Sequence, residues 1–89
     1  MTADATVARM HRQLATLHPL TLTIQDDSRR HAGHAGAAGG GGHYQLTIVA
    51  EVFRGVPTLV RHRMIHDALG PMMHNEIHAL SIKASTPLP

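Results

Sequence analysis

Eighty-nine residues allow one folded domain, because a chain this short cannot build two hydrophobic cores. The formal charge of +2 permits contact with nucleic acid without indicating it, and the absence of cysteine excludes disulfides, a thiolate nucleophile and thiolate metal ligands. No apolar run reaches the ~20 residues that span a membrane, and the N-terminus lacks the apolar core of a secretory signal. The sequence therefore predicts a single cytoplasmic domain, residues 1–89, with no membrane partner.

The first predicted element is an amphipathic helix over residues 3–17. Its apolar residues recur at spacings of three and four and so share one helix face: Val7, Met10, Leu14 and Leu17. Pro19 prevents the helix from continuing. Residues 20–25 then alternate between apolar and polar side chains with β-branched members, which predicts a half-buried strand.

Residues 28–43 contain six of the eight glycines and are predicted to form a long, flexible loop of low complexity. His31 and His34 lie in this loop, three residues apart. Alternation resumes over residues 43–50, where Tyr44 and every second residue after it are apolar. This pattern predicts a second strand that forms a hairpin with the first.

A second helix is predicted to begin at an N-cap, Thr58, and to end at Gly70 and Pro71, with a loose apolar side formed by Leu59, Ile65, Ala68 and Leu69. Pro71 starts a short third helix, and a last strand follows over residues 78–84, with Leu80, Ile82 and Ala84 facing inward. Residues 85–89 form a tail. The order α-β-β-α-α-β predicts an α/β (α+β) domain with helices on one face of a three-stranded mixed sheet.

Nine dispersed histidines are the main compositional bias of the chain. Imidazole is a common metal ligand, so the loop histidines could bind zinc or nickel, but a single histidine is more often a surface or structural residue. His62 and His66 share a helix face without an obvious third ligand. His78 matches Leu80 in parity and is therefore expected to point toward the core side, as a metal ligand or as a half-buried structural histidine.

Arg61 and Arg63 lie about 200° apart around the second helix, so both cannot grip one phosphate path. No aromatic side chains interleave with them to stack on bases, and from composition alone a solvated helix face is the favoured explanation. The usual catalytic patterns are absent, since the chain places no nucleophile and no convergent pair of carboxylates. An enzyme is therefore the least expected class.

Several ordered motifs resemble the BolA family. They are Phe53-Arg54-Gly55, then the stretch VRHRMIHDAL over residues 60–69, then IHALSI over residues 77–82, and finally Thr86-Pro87. Asp27-Ser28 followed by His31, with His43-Tyr44 after the glycines, resembles the family's loop motif. The resemblance covers roughly residues 20–87. It implies a fold similar to the type II KH domain, which agrees with the predicted element order.

The resemblance implies an adaptor rather than a catalyst. BolA-like proteins associate with monothiol glutaredoxins, and the pair holds a bridged 2Fe–2S cluster together with glutathione. The family's cluster ligands correspond here to His78 and, in the loop, to His31. The loop is longer in this chain, so His34 is a rival to His31. We therefore expect a role in iron–sulfur cluster trafficking or in iron or redox regulation.

The alternative is a KH-like, DNA-binding transcriptional regulator. Some family members and the KH-like fold suggest it, and the residues in question are Arg61, Arg63 and Lys83. The Gly-x-x-Gly clamp of KH domains is not evident, because Gly55 has no glycine three residues later. A homodimer in the absence of a partner is also left open, since so small a core gains stability from association.

Overall fold

A computed structural model describes residues 3–27 and 42–88 of the chain. Within them the helices are α1 (Ala3–Leu14) and α2 (Thr58–Leu69), and the strands are β1 (Thr21–Asp26), β2 (Gly42–Val49) and β3 (Ile77–Ser85). Short 3₁₀ helices follow α1, β2 and α2, at Ala15–Leu17, Glu51–Phe53 and Gly70–His74. The predicted α+β order is confirmed. The third predicted helix is the five-residue 3₁₀ helix Gly70–His74.

The three strands form one mixed sheet in the order β1-β2-β3. β1 and β2 are antiparallel, as expected of a hairpin, whereas β2 and β3 are parallel and are joined by the crossover that contains α2. Because parallel strands run in one direction, the starts of β2 and β3 lie at the same end of the sheet. That end also receives the C-terminal end of β1, since Asp26 pairs with Tyr44.

The helices cover one face of the sheet and form the core with it. β2 contributes the centre of this core, because Tyr44, Leu46 and Ile48 alternate inward and are buried as predicted. Side chains from the helices and their flanking turns pack against them: Met10, Leu14, Phe53, Ile65, Leu69 and Met72. The opposite face is open and carries mainly Thr, Ser and Gln side chains at the exposed positions of all three strands.

Two predictions about α2 are wrong. Leu59 is 70% exposed, because it lies about 120° around the helix from the buried Ile65 and so outside the face that meets the core. Thr58 is the first helical residue rather than the N-cap, which is Pro57. The predicted C-terminal stop is correct, since Gly70 adopts a φ of 56°, which favours glycine.

The predicted loop over residues 28–43 is only partly covered by the structure. Residues 28–41, with His31 and His34, lie outside the described residues, and Gly42 and His43 belong to β2. In the described ranges, no helix is long and apolar enough to cross a membrane.

Candidate histidine site at the start of the last strand

A β-bulge in β3 determines where His78 points. Gly42 pairs with Ile77 but the next residue of β2, His43, pairs with Ala79, so His78 is the extra residue. The hydrogen bonds agree with this bulge. The amides of Gly42 and of Ala50, just after β2, are an even number of residues apart, but the carbonyls that accept from them, Glu76 and Ser85, are an odd number apart. Bulges commonly re-aim side chains in this way.

The bulge corrects the prediction that His78 faces the core side. Simple alternation from Leu80 would turn the imidazole inward, but His78 is exposed while Ile77 before it is buried. The inserted residue shifts the alternation by one, which exchanges the two faces. His78 is therefore accessible to a partner rather than half-buried.

His43 lies beside His78, and sequence reasoning missed this neighbour. The two ring centroids are 5.1 Å apart and the rings are tilted by 37°. His43 is half-buried and occupies the open face, opposite in parity to the buried Tyr44. The signal was present in the predicted topology, because a parallel crossover brings the starts of β2 and β3 together.

A shallow cavity of about 280 Å³ continues from His43 along the open face, between β2 and β3. Asp27 forms one side of it, where its carboxylate accepts hydrogen bonds from the side-chain amides of Gln25, at 2.9 Å, and Gln45. The remaining lining comes from Tyr44, Ala79, Leu80 and Ser81. Polar groups thus surround the histidine pair on the open face.

The backbone around the pair is closely constrained. The Gly42 amide donates to the Glu76 carbonyl at 2.8 Å, and the Asp27 amide donates to the His43 carbonyl at 2.8 Å. A Cβ on Gly42 would lie 2.5 Å from atoms of the Tyr44 ring, so only glycine fits beneath this ring. These contacts hold the start of β2 against β3 and thereby fix the spacing of the two imidazoles.

An ion pair ties this end of the sheet to α1. Arg9 donates to the carboxylate of Glu76, whose backbone carbonyl receives the Gly42 amide. Both ends of residues 28–41 are attached here, because Asp27 precedes them and Gly42 follows them. The chain therefore leaves and re-enters the fold beside the histidine pair.

The predicted nucleic-acid residues are not equivalent in the structure. The Arg61 guanidinium is partly buried, donates to the Val56 carbonyl at 2.7 Å and to the Ala84 carbonyl at 3.0 Å, and lies 6.0 Å from the Phe53 ring centroid. Arg61 is thus a structural clamp between backbone carbonyls, and its role in contacting nucleic acid stays a prediction. It lies one turn before Ile65, a spacing that indicates a common face.

Arg63 and Lys83 are both exposed, on α2 and on β3 respectively. Neither adjoins the histidine pair, since Lys83 lies five residues further along β3 than His78. The described residues contain no group of three or more His, Cys, Asp or Glu side chains that could hold a metal ion. Any metal or cluster bound at His78 therefore needs ligands from residues 28–41 or from another protein.

The family model and the similar curated proteins both indicate the BolA family. The model of the BolA family, described as BolA-like protein, matches residues 14–88. Among curated proteins, SufE-like protein 1 of Arabidopsis thaliana is 42% identical over 76 residues, which are 80% of this chain and 20% of that protein. BolA-like protein 1 of Mus musculus is 38% identical over 71 residues, 80% of this chain and 50% of that protein. The chain thus spans between a fifth and about half of the length of these relatives.

The fold has similar relatives among solved structures. BolA1 from Arabidopsis thaliana superimposes with a TM-score of 0.76 at 38% identity, covering 90% of this chain and 89% of that one. The BolA domain of SufE1 from the same plant gives a TM-score of 0.78 at 36% identity, covering 98% and 95%. The family model covers the fold from the end of α1 onward, and the two solved structures cover 90% and 98% of the chain. The chain belongs to the BolA family.

Proposed function

We propose that this protein is an adaptor that binds a monothiol glutaredoxin and shares a 2Fe–2S cluster with it, for cluster trafficking or iron and redox regulation. The observation that carries the proposal is the exposed His78 on the bulge of β3, at the end of the sheet where residues 28–41 begin and end. BolA membership supports the choice of partner through the resemblance described above.

The metal ligands that this chain offers fit a 2Fe–2S cluster shared with a partner rather than one held by this chain alone. A 2Fe–2S cluster takes four ligands, usually thiolates, and imidazoles replace two of them in Rieske-type centres. This chain has no cysteine, so it could contribute only imidazoles, and the thiolates would come from the glutaredoxin and its glutathione. Such a cluster supplies one-electron and sulfide chemistry that this chain lacks by itself.

His78 is the first proposed ligand, because it is exposed and its backbone is fixed by the bulge. The second is His31, with His34 as its rival. His31 follows Asp27 by four residues, so it can lie at most about 14 Å from this anchor at ~3.5 Å per residue. His43 is already beside His78 and is a third candidate for the same role.

Visible circular dichroism tests this proposal. Adding the full chain to cluster-loaded monothiol glutaredoxin should change the cluster spectrum, because imidazole replaces a ligand of the iron. His78→Ala should abolish the change, and His66→Ala, which removes an exposed histidine from α2, should preserve it. Separate His31→Ala, His34→Ala and His43→Ala variants assign the second ligand. An unchanged spectrum with the native chain contradicts the proposal.

DNA binding is the second candidate, favoured by one relative. The DNA-binding transcriptional regulator BolA of Escherichia coli is 33% identical over 72 residues, which are 81% of this chain and 66% of that protein. Arg63 and Lys83 are the exposed cations that could contact phosphate, whereas Arg61 is held by backbone carbonyls. Gel shifts should therefore compare Arg63→Ala and Lys83→Ala, which leave the clamp intact. Binding that is insensitive to both changes contradicts this assignment.

A further inference from the structure

β3 is an edge strand, because β2 is its only neighbour in the sheet formed by the described residues. Its outward backbone groups can be identified from two hydrogen bonds. The Ser85 carbonyl accepts from the Ala50 amide, so the odd-numbered residues after the bulge face β2. The Ala84 carbonyl accepts from Arg61 on the other side, so the even-numbered residues face outward.

Two outward residues, Leu80 and Ile82, present peptide groups that no other described residue pairs with. Within the described part of the chain, neither residue makes a backbone hydrogen bond outside the sheet ladder. The bulge at His78 bounds this stretch at one end, and the Arg61 clamp on Ala84 bounds it at the other. A short row of unpaired N–H and C=O groups is a template for an added strand.

A groove runs beside this edge, between α2 and β3. Its volume is about 350 Å³, and Ile82 and Ala84 give it an apolar lining. The polar side chains that line it are those of Thr47, Thr58, His62, Lys83 and Ser85. The ionisable side chains among these lining residues are Lys83 and His62, with no carboxylate. The groove therefore favours a negatively charged occupant.

We propose that this groove binds an extended, acidic segment of a partner protein, which adds to the sheet as a strand along Leu80–Ile82. The main-chain groups of β3 supply the hydrogen bonds, the apolar lining of Ile82 and Ala84 receives an alternate side chain, and Lys83 pairs with a carboxylate of the segment. The bounded stretch accommodates about four to six residues at 3.3 Å per residue.

β3 itself offers no acidic strand to a second copy of this chain. In an antiparallel pair of two β3 strands centred on Ser81, Lys83 would lie opposite Ala79, and the strand Ile77–Ser85 carries no carboxylate to pair with it. Lys83 therefore favours an acidic segment over a second β3 strand.

Amide exchange and binding of one probe peptide test the proposal. The probe is a seven-residue peptide alternating glutamate with valine, and its matched control replaces every glutamate with lysine. We expect the acidic peptide to protect the Leu80 and Ile82 amides from exchange in the full chain, with no effect of the lysine peptide. N-methylation of the peptide amides that face β3 should abolish binding, and N-methylation of the alternate amides, which face away, should preserve it. A purely ionic contact would not distinguish the two methylated peptides.

Protein variants assign the site. Lys83→Glu should weaken the acidic peptide about fivefold to tenfold by replacing attraction with repulsion, whereas Arg63→Glu, the same charge change outside the groove, should have little effect. His78→Ala should leave peptide binding unchanged, so this result is independent of the cluster experiment. The proposal is overturned by absence of binding at millimolar peptide, by protection elsewhere, or by a single-stranded oligonucleotide that binds the groove and displaces the peptide.

Discussion

At its start, β3 carries a bulge that leaves His78 exposed beside His43, whereas at its end the strand is regular and Arg61 holds its outer carbonyl. At the histidine end, the His78 side chain is exposed and accessible to a partner. At the arginine end, the Arg61 guanidinium joins the segment before α2 to the end of β3 and lies near the Phe53 ring. His78 is therefore available for binding, whereas Arg61 stabilises the fold.

Apart from the truncation of a core side chain, the largest expected loss of stability comes from breaking the arginine end. Arg61→Ala should lower the free energy of unfolding by about 2–3 kcal/mol, because two partly buried carbonyls lose charge-assisted hydrogen bonds. Arg61→Lys should recover little of this, since one ammonium cannot reproduce the planar fork. Urea unfolding measures both, with Arg63→Ala as a control that should change stability by less than about 0.5 kcal/mol. Equal losses for Arg61→Ala and Arg63→Ala would remove the distinction between clamp and surface cation.

Gly42→Ala should have the next largest effect, at the histidine end. The new Cβ would overlap the Tyr44 ring, and displacing this buried ring should cost about 1–3 kcal/mol. A Tyr44→Leu background should reduce that cost by about 1 kcal/mol or more, because it removes the overlapping ring atoms. Urea unfolding of the two single variants and the double variant measures the coupling. Strict additivity would show that the ring does not restrict this position.

This difference between the two ends also explains how far the sequence could predict the structure. Alternation placed Tyr44, Leu46 and Ile48 inward correctly, because a regular strand has a fixed period of two. The same rule failed for His78, because a bulge leaves no mark in the local pattern and appears only in the pairing with β2. The fold was predictable from periodicity and motifs, whereas the site depended on strand register.

The sequence placed Arg61 and Arg63 together as one basic motif, and only side-chain packing separates them. Their angular separation around α2 was correctly deduced, and it puts Arg61 on the side of Ile65 and Arg63 on the exposed side. Which carbonyls Arg61 would reach could not be deduced, because they belong to the segment before α2 and to β3. Contacts between distant segments follow from tertiary packing rather than from helix periodicity.

A small pH effect is expected at the arginine end. The hydrogen bond from Arg54 lowers the pKa of the Glu51 carboxyl below its ordinary value of 4.5. A lowered pKa stabilises the folded state above the unfolded pKa, and this contribution is lost as the pH falls through the folded pKa. Glu51→Gln should therefore be slightly less stable than the native chain near neutral pH, with the difference vanishing in acid. Urea midpoints across this range measure it, and a difference that grows in acid would have the wrong sign.

The smallest stability effect is expected for His78→Ala, although its effect on the proposed cluster should be complete. The imidazole is exposed on a bulge, so its removal should change the free energy of unfolding by less than about 0.5 kcal/mol. Ile77→Ala, one residue earlier but 3% exposed, should cost about 2–4 kcal/mol because it leaves a cavity. Urea unfolding of the two variants tests this contrast between neighbours. If His78→Ala unfolded as readily as Ile77→Ala, the loss of the change in visible circular dichroism would report misfolding. If His78→Ala keeps a native-like urea midpoint, that loss measures the missing cluster ligand directly.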